Sequence, residues 1–179
     1  MTERVSPPVA QRTESAAETL LDGLFTGMIG ALAVALWFLA LDSLAGHPLQ
    51  TPALLGWVLL KGGGPAPLQV TVEPLPIAAY TAFHFVTFAV VGIALAYLMN
   101  VFERFPIMFY VLLVLFLCLQ MGFFLVDVAL GTQMIGRLRP WTVVVANCLA
   151  AAGMAFYQWK RHPSVFKKIE RLWEDEPGD

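Results

Sequence analysis

Four polar side chains interrupt stretches of sequence that are otherwise apolar: His84, Gln120, Asp127 and Asn147. A polar group inside a bilayer is costly, so each needs a partner, and such groups often mark ligand sites or proton paths. At about 1.5 Å per helical residue, His84 falls roughly 10–12 Å below the outer end of its segment, Asn147 roughly 9 Å, Asp127 roughly 5 Å and Gln120 roughly 15 Å. Gln120 and Asp127 are seven apart and share a helical face. The four are therefore expected to meet in the outer half of the membrane, with the inner half nearly all apolar. Two readings follow. In the first they hydrogen-bond one another and hold helices in register, each contact contributing about 0.6 kcal/mol and at most about 2. In the second His84 and Asp127 form a protonatable pair or a proton relay, or His84 binds a quinone or serves as single axial ligand to haem or chlorophyll. A bis-histidine haem needs two facing histidines at similar depth, and His47 and His162 both fall outside the apolar segments.

Other chemistry finds no footing. No cluster of His, Cys and carboxylate has the spacing of a metal site. Gly62-Gly63-Gly64 lacks the lysine and the strand–helix setting of a phosphate loop, and Ser43 has no nucleophile elbow. No catalytic residue and no metal is expected. Cys118 and Cys148 lie in apolar runs and are expected to serve as small apolar residues with no further role. A net charge of −2 argues against nucleic acid as a partner, because binding it takes a concentrated basic surface.

The elements that must position these groups follow from hydropathy. Of 179 residues, 58% are hydrophobic and 13% charged, and the mean hydropathy is +0.70. A membrane-crossing helix needs about 20 mainly apolar residues. Four segments qualify, at 20–42, 77–99, 107–130 and 141–159. The expected fold is a single all-α integral membrane domain, a four-helix up-down bundle. Ser15 and Glu18 make a capping box for the first span. Asp22 and Asp42 sit at its ends. Gly23, Gly27, Ala31 and Ala35 repeat every four residues and let another helix approach closely. The loop over 43–76 should hold a short interfacial helix at 52–61, opened by Thr51-Pro52 and stopped by the three glycines. Prolines 65, 67, 74 and 76 predict extended chain up to residue 76, and Gly92 is the weak point of the second span. In the tail over 160–179, Val165, Phe166, Ile169, Leu172 and Trp173 share one face of an amphipathic helix.

Basic residues orient the chain. Arg4, Arg12, Arg104, Lys160, Arg161, Lys167, Lys168 and Arg171 fall on the side of the termini, against Lys61, Arg137 and Arg139 opposite. The positive-inside rule then places residues 1–19 and 160–179 in the cytoplasm.

Gly46-His47-Pro48-Leu49 with Thr51-Pro52 and Leu54-Leu55-Gly56, Tyr80-Thr81 with His84-Phe85, and Arg161-His162-Pro163 together resemble a group of bacterial four-helix membrane proteins of no assigned function. The resemblance touches about a quarter of the chain. It implies four spans and a bacterial inner membrane, and carries no site residue. The functional expectation is a non-catalytic accessory subunit held in lipid beside other membrane subunits, in a respiratory or photosynthetic electron-transfer assembly. The alternatives are a small homo-oligomeric transporter or channel, and a cofactor-binding protein using His84.

Overall fold

The computed structural model describes residues 16–61, 70–104 and 139–161, with side chains to residue 99 in the second stretch. The described residues are helical, without strands. They form α1 (Ala16–Leu44), α2 (Gln50–Lys61), α3 (Pro74–Arg104) and α4 (Pro140–Arg161). Ala16–Leu44, Pro74–Met99 and Pro140–Arg161 are each long and apolar enough to cross a membrane. The expected third span and the amphipathic tail lie outside the described residues, as do Gln120 and Asp127.

α1 is the central element. Along it, Gly23 meets Ile93, Gly27 meets Phe88 and Ala89, and Ala31 meets His84, so α1 and α3 run antiparallel. Asp22 meets Arg161, Thr26 meets Gln158, and Trp37 meets Thr142, so α4 is antiparallel to α1 as well. The start of α1 and the ends of α3 and α4 thus share one end of the molecule, here termed the Arg161 end. The opposite end carries Trp141 and α2.

The α1–α3 crossing is made by glycine. A Cβ on Gly92 would lie 2.3 Å from both the Gly23 carbonyl oxygen and the Gly27 nitrogen, and one on Gly27 would lie 2.2 Å from the Phe88 oxygen. Backbone rests on backbone here. Gly92 is therefore a contact point in a continuous helix, and the expectation that it weakens the second span is corrected. On the α4 side, Val34, Ala146 and Ala150 form a core joined by Trp37, Phe38 and Phe88. Trp37 also stacks edge-on against Trp141, with centroids 6.4 Å apart.

Helix ends follow local chemistry. α1 stops at Gly46, whose φ of 79° suits a residue without Cβ. The amide of Gly46 then donates to Ser43 and that of His47 to Asp42, the bond pair of a Schellman motif. α3 begins at Pro74, earlier than the expected residue 77. The first amides of a helix have no partner inside it, so Pro74 and Pro76 forfeit nothing, and the first bond runs from the Ile77 amide to the Glu73 carbonyl.

α2 starts two residues before its expected position, and its cap is not Thr51. Asp42, from the last turn of α1, accepts the Thr51 amide at 2.7 Å and the Thr51 hydroxyl at 2.8 Å. A carboxylate is unfavourable at the negative end of α1 but favourable at the positive end of α2. We expect Asp42→Ala to cost about 1 kcal/mol, the usual loss for a removed cap. Amide hydrogen exchange would show it as faster exchange across α2 with the middle of α1 unchanged.

Candidate functional site

Two polar clusters flank the α1–α3 and α1–α4 seams. The first is built on His84. It lies nearly three turns into α3, where the stagger of the antiparallel pair brings it against Ala31, which is fully buried. His84 Nε2 donates to the Ala31 carbonyl at 3.2 Å. A carbonyl only accepts, so this bond fixes the proton on Nε2. The ring is enclosed by Tyr80, Phe85 and Phe88, with centroids 5.5, 5.8 and 4.8 Å away. Ligation of haem or chlorophyll through Nε2 would have to break the bond to Ala31, whereas Nδ1 keeps its lone pair among the aromatic neighbours. The arrangement suits a tie between helices. Asn147, a further member of the expected cluster, is partly buried on α4.

The stripe of small residues divides by role. Gly23 and Gly27 carry the crossing with α3, Ala31 lies under His84, and Ala35 lines a groove between α1, α2 and α3.

The second cluster is at the Arg161 end, and sequence reasoning missed it. Asp22 is only 4% exposed. Arg161 grips both its oxygens: Nη2 reaches Oδ1 at 2.7 Å and Oδ2 at 2.9 Å, and Nε reaches each at 3.1 Å. Tyr157 donates its hydroxyl to the same carboxylate at 3.2 Å. One turn further along α1, Thr26 donates to the Asp22 carbonyl at 2.7 Å and accepts from Gln158 Nε2 at 2.9 Å. Gln158 is buried, and its Oε1 has no hydrogen-bond partner. The half of the molecule toward the Arg161 end, expected to be almost wholly apolar, therefore carries buried and part-buried polar groups, with Asp22, Thr26, Tyr157 and Gln158 contributed by α1 and α4.

The reason is geometric. α1 begins at Ala16, so Asp22 lies nearly two turns inside the helix instead of at its edge. Arg161 is the last residue of α4, where helix carbonyls favour a cation. Its side chain is 51% exposed, so the guanidinium neutralises a buried carboxylate while keeping part of its own hydration. The capping box at Ser15 was the sequence signal: it already implied that Asp22 lay inside the first span.

Neither cluster has the makings of a metal site, and among the described residues no three His, Cys, Asp or Glu side chains gather. Further toward the Trp141 end than Ala31, the residues Val34, Ala146 and Ala150 form an apolar layer on the α1–α4 seam. Comparison with protein-family models, curated proteins and solved structures finds no match to the chain. Among the described residues, fold and sites together define a helical protein with three helices long and apolar enough to cross a membrane.

Proposed function

We propose that this protein is a non-catalytic accessory subunit of a larger membrane assembly, a helical scaffold whose buried polar groups fix one helix against another. One observation carries the reading, namely where those groups spend their hydrogen bonds. Asp22 bonds to α4, Gln158 to α1, His84 to α1 and Trp37 to α4, while Asp42 caps α2. Each bond joins two elements, and a fixed geometry is their product. A transporter would instead leave polar groups to line a route. The electron-transfer character expected from the sequence gains no support from these contacts.

Topology belongs to the same proposal. α3 ends where α4 ends, while α4 starts at the opposite end, so the chain has the length of the molecule to cover between Arg104 and Pro140. This supports the expected crossing over 107–130 and hence four spans. The basic residues as counted favour cytoplasmic termini, and the resemblance to bacterial four-helix membrane proteins favours a bacterial inner membrane.

Mild detergent extraction after cross-linking in the native membrane tests the function. The expected result is recovery with other membrane proteins in fixed stoichiometry. A lone monomer or small homo-oligomer would overturn the proposal.

A further inference from the structure

Among the described residues, Gln158 Oε1 is the buried side-chain oxygen that no protein group satisfies. We propose that it binds an ordered water molecule, which gives its second proton to the Asp22 carboxylate. This goes beyond the scaffold reading and does not depend on it.

The amide cannot escape by turning over. Thr26 Oγ1 lies 2.7 Å from the Asp22 carbonyl, and a carbonyl only accepts, so the single hydroxyl proton lies between them. Toward Gln158, Thr26 can then only accept. The contact at 2.9 Å therefore sets the Gln158 nitrogen against Thr26 and its oxygen away from it. The other donors of the cluster are already used, since the Tyr157 hydroxyl and Arg161 Nε and Nη2 all go to the Asp22 carboxylate. Gln158 itself is only 1% exposed.

Magnitudes favour a bound water. A buried acceptor left without a donor costs about 1–3 kcal/mol. Ordering one water costs about 0–2 kcal/mol and supplies a bond nearly as good as a direct one. Supply is close at hand. Gln158 stands three residues before the end of α4, about 4.5 Å by helical rise, and the Arg161 side chain at that end is half exposed.

The neighbouring pairs set the size and charge of the ligand. Asp22 with Arg161 and Thr26 with Gln158 are successive rungs of the α1–α4 seam. By helical rise the rungs are about 6 Å apart along α1 and about 4.5 Å along α4. A single oxygen that donates to both rungs spans about 5.6 Å, twice a hydrogen-bond length. The interval thus suits one heavy atom. A carboxylate offers about four lone-pair sites, and Tyr157 with the two guanidinium nitrogens brings three donors, which leaves a place for a fourth. Arg161 already balances the charge of Asp22, so a second cation has nothing to meet and the donor is neutral. Nor does the water replace the guanidinium. It brings a dipole and no net charge, so Asp22 still depends on Arg161.

Crystals of the full chain grown from a lipid mesophase, diffracting well enough to show ordered solvent, test the proposal. A solvent peak is expected within about 3 Å of Gln158 Oε1 and within the same reach of an Asp22 oxygen. In Gln158→Met, which removes both ends of the amide, that peak should be lost while Arg161 keeps its hold on Asp22. The wild-type map decides the matter should the variant fail to fold. A map with no solvent at Oε1, or a side-chain donor in its place, would overturn the proposal. So would a peak that stays in position in Gln158→Met, because Gln158 would then not be what binds it.

Discussion

Replacing Gly27 or Gly92 with alanine is expected to destabilise the protein by about 3 kcal/mol or more, the upper end of overpacking costs. The direction is not what helix propensity alone would give, because alanine is favoured over glycine in a helix by about 1 kcal/mol. Sterics decide. At Gly27 the new methyl would meet the Phe88 carbonyl at 2.2 Å, and at Gly92 it would meet the Gly23 and Gly27 backbone at 2.3 Å. Backbone atoms in two packed helices cannot swing aside as a side chain does, so the helices themselves must separate. Their separation would also pull His84 from the Ala31 carbonyl. Gly153 makes the contrast, since its added Cβ would find only an Ile29 methyl at 3.1 Å. There the neighbour yields slightly and the propensity gain survives, so Gly153→Ala should be neutral or mildly stabilising. Reversible unfolding in mixed detergent micelles would rank the three variants. A Gly92→Ala protein as stable as Gly153→Ala would show that α1 and α3 do not touch through their backbones.

Some of this was legible in the residues. The four-residue repeat Gly23, Gly27, Ala31 marked the face of α1 that meets another helix, because close approach requires small side chains at that spacing. Its partner was not legible: a lone glycine such as Gly92 reads equally as a flexible point or as a contact. The depth of His84 could be counted along the segment, and the need for a partner followed from membrane solvation. That the partner is a backbone carbonyl carries no sequence mark, since every residue has one. Pro74 and Pro76 were read as ending the loop, yet the first turn of a helix needs no amide donors and absorbed both. The hardest feature was the Asp22–Arg161 pair. The residues stand 139 apart in the chain, and their meeting depends on the relative stagger of α1 and α4, which neither helix specifies alone.

That pair leads to an asymmetric expectation. Arg161→Met should cost about 3–5 kcal/mol, the usual penalty for stranding a buried charge. Asp22 would keep the Tyr157 hydroxyl but lose four contacts to guanidinium, in a site where the residue is 4% exposed. Asp22→Asn removes the same ion pair from the other side and should cost less, roughly the 1.5–3 kcal/mol of a hydrogen bond to a charged group. The difference lies in who is left behind. Arg161 is half exposed and can turn its head group toward water along a flexible stem, whereas Asp22 sits under Tyr157 and Gln158 with no such exit. The double variant Asp22→Leu with Arg161→Met removes both charges and replaces them with apolar contact, and it should recover most of the loss of Arg161→Met, because buried ion pairs often exchange for apolar residues at little net cost. Unfolding free energies for Asp22→Leu, Arg161→Met and the double variant form the required cycle. If Arg161→Met costs no more than Asp22→Asn, Asp22 is hydrated in the membrane-bound protein and the clamp between α1 and α4 is not buried. If the double variant is worse than the sum of the singles, the charges contribute something beyond mutual neutralisation. The role of the cluster would then lie in chemistry rather than in fixing helices.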